Sequence, residues 1–359
     1  MKSVWRRKQR RRKRKKKATL DLPLGEGAAR RRRKRGGTDP VLSAAPHPSR
    51  LRRSTLSQER VFVDFFLLRR YDIPKGGISV KPLVFQSDFG LVDGAVSAMY
   101  GVAYCVDPEL KIHDLTHDIT PYSIWEASYR LIQTISYWPE DTVFVSVVDP
   151  GVGTDRRSIV VRTKSGKYIV TPDNGTLTHV LRLDGVVAAR QIDEQINRLP
   201  NSGESYTFYG RDVYAYTGAR LAAGVISFDQ VGPDIPVESL VKLSVVEPYL
   251  DGNAVCGTVD VLDVRFGSLW TNIPRELFLK TGARYGDRLS ITIENDTRTV
   301  YRNIITLAKS FADVYIGEAL AYVNSLDCMA VAINQGSFAR AYNIGTGNSW
   351  RIRMEPFRM

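Results

Sequence analysis

The run TVFVSVV at residues 142–148 is apolar on both of its faces. A half-exposed strand alternates apolar with polar residues, so this one needs cover on each side. It calls for a sheet held between layers. The surrounding segments can supply them. LVFQSD (83–88) is a short apolar run ending in polar residues, and GAVSAMYGVAYC (94–105) carries small and apolar residues at helical spacing. Another short strand is expected at 110–115. Ser123 and Glu126 have the spacing of a capping box, in which the serine caps the third helical amide and the glutamate reaches back. The helix after them puts Ile124, Leu131, Ile132 and Ile135 on one stripe. KSGK at 164–167 reads as a hairpin turn between SIVVR and KYIVT. The alternation predicts an α/β layered domain over residues 81–237.

The pattern changes after GPDIP (232–236). AVCGTVDVLD, DRLSITIEN, TVYRNIIT and MAVAINQ are short alternating segments separated by turn residues, with little helical periodicity. They predict a second, smaller β-rich domain over 245–359, a sandwich or a barrel. The boundary is expected in the Pro-containing segment 232–245.

The chain has 359 residues, 43% of them hydrophobic, enough for one large or two ordinary domains. Its net charge of +13 is concentrated at one end. Residues 1–53 hold 21 Lys and Arg against 3 Asp and Glu, whereas the rest hold 30 against 35. The body is therefore mildly acidic, and nucleic acid is expected to bind only through the tail, if at all. The tail blocks RRKQRRRKRKKK (6–17) and RRRRKR (30–35) repel themselves and lack apolar periodicity, which predicts disorder. Three readings of them stay open: a nuclear-localisation or polyanion-binding arm, an organelle-targeting segment, or an extension from a wrongly chosen start codon. Residues 54–80 are a lead-in. No apolar run approaches the roughly 18–20 residues of a membrane span. Cys105, Cys256 and Cys328 lack metal spacing and read as reduced core residues of an intracellular protein, cytoplasmic unless the tail directs it elsewhere.

Chemistry has few histidines to draw on: His47, His113, His117 and His179. His113 and His117 sit with Asp114 and Asp118 in KIHDLTHDIT. The favoured reading is that these residues end a strand and cap the next segment; metal binding is the alternative. His179 reads as structural. No zinc set, Gly-x-Ser-x-Gly elbow, P-loop or dinucleotide fingerprint is present. What recurs is a carboxylate at the C-terminal end of an apolar strand: Asp88, Asp149 and Asp263, each before a Gly-containing turn. Open α/β sheets bind ligands at such ends, and a carboxylate there can accept both hydroxyls of a ribose.

QSDFG (86–90), DLTHDITP (114–121), VVDPGVGT-x-RR (147–157), TPDNGTLT (171–178), TF-x-GRD (207–212), D-x-x-FG-x-x-x-TNI (263–273) and VNS…AINQG (323–336) together resemble the SAM hydroxide adenosyltransferases, or SAM hydrolases, relatives of the fluorinating and chlorinating adenosyl-halide synthases. The resemblance spans about residues 82–345. It implies an α/β domain, a C-terminal β-barrel-like domain and a homotrimer, with SAM between one subunit's N-terminal domain and its neighbour's C-terminal domain. SAM is then the substrate, with no cofactor and no metal.

The resemblance makes Asp88 the ribose ligand and puts Tyr122 near the sugar. Asp263 would hold the methionine ammonium, Phe266 stack near the base and Ser325 contact the methionine end. Asn174, Gly210 and Ser268 fall on the remaining substrate-binding positions. Asp149 and Arg156 match two of the three reactive residues of the hydrolases. The third, a histidine, falls where this chain has Tyr209. The halogenating relatives also have tyrosine there, the chlorinating type with a following glycine, as Gly210 here, but they replace the aspartate that Asp149 retains. Expected is hydrolysis of SAM to adenosine and L-methionine, with Asp149 and Arg156 positioning water and Tyr209 completing the pocket. The rivals are an adenosyl-halide synthase and a non-catalytic SAM- or adenosine-binding protein.

Overall fold

A computed structural model describes residues 81–202 and 205–358. The basic tail, with His47, and the lead-in lie outside the described residues. The first sheet has seven strands: β1 (Leu83–Ser87), β2 (Ile112–Thr116), β3 (Val143–Val147), β4 (Ser158–Thr163), β5 (Tyr168–Pro172), β6 (Val186–Gln191) and β7 (Asp234–Ile235). Their order is β2-β1-β3-β5-β4-β6-β7. The first four are parallel, while β4, β6 and β7 pair antiparallel to their neighbours.

Helices cover both faces: α1 (Ala95–Val106), α2 (Ile124–Thr134), α3 (Thr178–Leu183), the single turn α4 (Glu194–Asn197) and α5 (Tyr216–Ala222). β3 shows why its sequence is apolar throughout. Val143, Val145 and Val147 pack with Met99 of α1 and Leu221 of α5, whereas Phe144 packs with Leu131 of α2 and Val180 of α3. α5 approaches the sheet so closely that a Cβ on Gly218 would lie 2.4 Å from Val145.

The second sheet closes on itself. It uses β8 (Tyr249–Asp251), β9 (Ala254–Leu262), β10 (Leu269–Pro274), β11 (Arg288–Glu294), β12 (Thr299–Leu307), β13 (Ala319–Val323), β14 (Cys328–Ile333) and β15 (Gly347–Pro356). Seven strands run β10-β14-β13-β12-β11-β15-β9 and return to β10, with β8 added along β9. Of the sandwich and the barrel, the barrel forms. Closure leaves its strands few open edges. Leu289, Ile291 and Ile293 alternate inward along β11, beside Phe278 of α6 (Arg275–Leu279) and Phe338 of α7 (Phe338–Tyr342). Both sheets lie in one compact unit. α2 ties them together: Trp125 Nε1 donates to the Asp260 carbonyl at 2.8 Å and Arg130 to the Leu262 carbonyl at 3.0 Å.

Two expectations need correction. Ser123 Oγ does accept from Glu126 N, at 3.3 Å, but the Glu126 carboxylate turns to Thr120 N and Arg130 instead of the serine's own N–H. Arg130, one turn along, offers a charge that the backbone amide cannot match. The cysteines are not core residues either: Cys105 is exposed, and Cys256 and Cys328 are half-buried. Cys105 lies one residue before the end of α1, and no described residue covers it. Among the described residues no helix is long and apolar enough to cross a membrane.

Candidate active site

The C-terminal ends of β1, β3 and β5 meet along one edge of the first sheet, and β4 starts there in the opposite direction. That reversal brings Arg156 back to Asp149. Its Nε donates to Asp149 Oδ1 at 2.7 Å, and its terminal nitrogen pairs with Oδ2. The pair is nearly dry, with side-chain exposures of 6% for Asp149 and 9% for Arg156. Burial disfavours the guanidinium charge, but the hydrogen bond and charge of Asp149 outweigh it, so the Arg156 pKa moves up and the group stays protonated. Each carboxylate oxygen has two lone pairs, so each can still accept a hydrogen from water.

Arg157 points elsewhere. It pairs with the buried Asp173, Nε to Oδ2 at 2.9 Å, and clasps Ser239. Only one of the two adjacent arginines belongs to the site; the other is structural. Asn174 spends its amide on Val148 O at 2.9 Å and on Thr176, which braces the turn that carries Asp149.

Tyr209 lies against the ion pair. The Arg156 guanidinium sits 5.1 Å from the Tyr209 ring centre and 5.7 Å from that of Tyr214. Arg198 lies 5.2 Å from the Tyr209 ring, so that ring has two cationic neighbours. Tyr214 is buried and holds Ser158 Oγ at 3.2 Å; burial drives its pKa far up, which keeps the phenol neutral. Tyr209 starts a π-helical stretch, Gly210–Ala215, before α5. Such stretches are frequent at functional sites. Gly210 is buried, and a Cβ there would meet the Phe89 ring at 3.0 Å. The absent side chain lets the turn after Asp88 pack on the Tyr209 segment.

Asp88 is half-buried, and its Oδ2 accepts the Tyr122 N–H at 2.8 Å. Tyr122 holds a left-handed φ of 69° with its side chain out in solvent. The metal alternative for His113 and His117 fails on their contacts. Both His117 ring nitrogens are engaged, by Ser87 and by Asp114, and His113 packs on Trp138. His179 is structural, as expected: it is buried beside Trp125 and holds Ser128 Oγ at 2.9 Å.

The barrel residues form a second group. Asp263 directly follows β9 and closes a tight turn, its N–H on the Ser268 carbonyl at 2.9 Å. That turn exposes Phe266, while Ser268 is buried. Ser325 is exposed on a loop organised by Asn324 Oδ1, which accepts from Leu326 N and Cys328 N. Among the described residues no hydrogen bond or ion pair connects Asp263, Phe266 or Ser325 to Asp88, Asp149 or Tyr209. Sequence reasoning missed Tyr214, which lies beside Arg156, and Arg198, which lies over the Tyr209 ring; neither carries a local motif.

The edge is therefore the kind of strand-end crevice at which open α/β sheets bind ligands, on a chain that continues into a closed barrel. The sequence profile of the SAM hydroxide adenosyltransferase N-terminal domain matches residues 83–232, and that of the C-terminal domain matches 257–351. An (R)-S-adenosyl-L-methionine hydrolase of Salinispora arenicola is 35% identical over 276 residues, 75% of this chain and 96% of that protein. A fluorinase of Nocardia brasiliensis is 31% identical over 76% of this chain and 97% of its own. The solved structure of an uncharacterized conserved protein from Thermotoga maritima has a TM-score of 0.69 and 32% identity, covering 76% of this chain and 99% of that one. The chain belongs to the SAM hydroxide adenosyltransferase family.

Proposed function

We propose that the protein hydrolyses SAM to adenosine and L-methionine. The observation that carries this reading is the buried Asp149–Arg156 pair beside Tyr209. Water forms a bond to the ribose C5′, and the C5′–S bond breaks with its electrons going to sulfur. Methionine leaves neutral at sulfur, and the proton lost from water reaches solvent. Asp149 orients the water through its free lone pairs, and Arg156 fixes the carboxylate plane and cannot act as the base. Charge falls as the sulfonium is consumed, so alignment in a dry site contributes more than added charge. Asp88 takes the ribose hydroxyls. Asp263, Phe266 and Ser325 come from a neighbouring subunit of a homotrimer, which agrees with the absence of any hydrogen bond or ion pair between them and Asp88 among the described residues.

A second reading is favoured by the Tyr209-Gly210 pair and by the fluorinase relatives: attack by halide. A retained carboxylate next to the nucleophile opposes it. The discriminating test is chromatography of the protein incubated with SAM in chloride-free and high-chloride buffers. Adenosine in both, lost in Asp149→Asn, supports hydrolysis. A chloride-dependent 5′-chloro nucleoside supports the halide reading. SAM bound without either product leaves a binding protein.

A further inference from the structure

Behind Asp88 lies a chain of side chains that the proposed reaction does not use. Ser87 ends β1 fully buried, and His117, just after β2, is 3% exposed. Ser87 Oγ lies 2.6 Å from His117 Nδ1, and His117 Nε2 lies 3.1 Å from Asp114 Oδ1. The Tyr100 hydroxyl, from α1, donates to that same oxygen. A carboxylate only accepts, so the ring hydrogen facing it sits on Nε2, and the contact at Nδ1 is served by the Ser87 hydroxyl donating to it. The serine hydrogen is thereby committed, and Ser87 Oγ accepts the Phe89 N–H at 3.3 Å. The His117 carbonyl accepts the Gly90 N–H at 2.8 Å. Both amides that come after Asp88 are thus tied to one Ser87–His117 unit. Gly90 supplies the left-handed φ of 68° that this turn requires.

The carboxylate itself accepts the Tyr122 N–H on Oδ2. That leaves Oδ1 and one lone pair of Oδ2 for a ligand, enough for two neighbouring hydroxyls if the carboxylate plane is fixed. We propose that His117 is a positioning residue: the chain Tyr100–Asp114–His117–Ser87 sets the turn so that Asp88 meets a ribose diol with both oxygens. Ser87 and His117 are buried, with Asp114 exposed and Tyr100 half-buried at the outer end of the chain, and a buried hydrogen-bonded pair fixes geometry in a way that an apolar contact at the same place would not. The inference rests on the reading of Asp88 as the ribose ligand.

The test compares binding of adenosine and of 2′,3′-dideoxyadenosine by calorimetry, on the full chain, in wild type, Asp88→Asn, His117→Gln and Tyr100→Phe. Losing one charge-assisted hydrogen bond to the diol weakens binding about tenfold. His117→Gln is expected to lower the preference for adenosine by about that factor, and Tyr100→Phe by roughly two- to fivefold, while dideoxyadenosine binding stays within about twofold. A structural role alone would weaken both nucleosides alike, and that result overturns the proposal. An unchanged preference in both variants, with Asp88→Asn abolishing it, overturns the proposal and leaves the Asp88 reading intact. No preference in wild type overturns both. Tyr100→Phe removes only one hydroxyl at the outer end of the chain, so it decides the matter if His117→Gln does not fold.

Discussion

Asp149→Asn separates what the buried ion pair does for the fold from what it does for the reaction. The replacement amide can still accept one hydrogen from Arg156, but its NH₂ faces the second guanidinium nitrogen, donor against donor. Arg156 keeps Ser158 Oγ at 3.3 Å and its two aromatic neighbours, none of them a counter-charge. Breaking a buried pair by removing one partner costs about 3–5 kcal/mol. For a folded body of roughly 280 residues that is a fall in Tm of about 5–9 °C. Arg156→Gln should cost a similar amount for the mirrored reason. The double variant Asp149→Asn/Arg156→Gln leaves two neutral amides that can pair, and should cost about 3 kcal/mol or less, far below the sum of the singles. Thermal and urea unfolding of the four proteins measure the coupling. Adenosine formation should stay absent in the double variant even as stability returns. Additivity within about 0.5 kcal/mol would refute the buried-pair argument. Recovered turnover would refute the catalytic role of Asp149.

The same geometry sets other outcomes. Tyr209→His restores a titrating base where the hydrolases carry one and should raise the single-turnover rate of adenosine formation by about tenfold or more. Gly210→Ala drives a Cβ to 3.0 Å from the Phe89 ring and should cost about 1–3 kcal/mol, with a raised KM for SAM. Tyr122→Gly should unfold at higher temperature than Tyr122→Ala, by about 1 kcal/mol, because only glycine accepts a φ of 69° without strain. Burial holds the Asp260 carboxyl up at about 7, so its proton is retained in the fold and lost on unfolding between about pH 4 and 7. Its contribution to stability is present at low pH and lost as pH rises through 7. Burial lowers His179 to about 4, a change of opposite slope that is complete by its ordinary value near 6.5. Asp260→Asn should therefore gain roughly 2.5 kcal/mol relative to wild type between pH 5 and pH 8, read from melts at the two values.

Much of this architecture was legible in the sequence because the signals are local. The doubly apolar β3, the turn at 164–167 and the strands after 245 each arise from residues within a few positions of one another. The strand-end aspartates were equally plain, since a sheet edge is where a polar residue can interrupt an apolar run. What could not be read depends on distance in space. Ser87 and His117 are 30 positions apart, and nothing near either one announces the other. Tyr214 reaches Arg156, and Arg198 reaches Tyr209, only through packing. The capping box read correctly as a helix start and wrongly as a closed pair, because Arg130 competes for Glu126. KIHDLTHDIT left metal binding as an alternative in one dimension, but in space His113 packs on Trp138 and His117, just past β2, meets Ser87.

α2 begins beside Tyr122, which holds Asp88, and its flank grips the strand that ends just before Asp263, through Trp125 and Arg130. In the proposed trimer those two aspartates serve different active sites. Each α2 is then a strut between neighbouring pockets, and the three struts close a ring. A shift of Asp88 on ligand binding would reach the next pocket through one rigid helix. Occupancy should be communicated around the assembly, giving a Hill coefficient for SAM different from one, and cutting both grips with Trp125→Phe/Arg130→Met should return it to one.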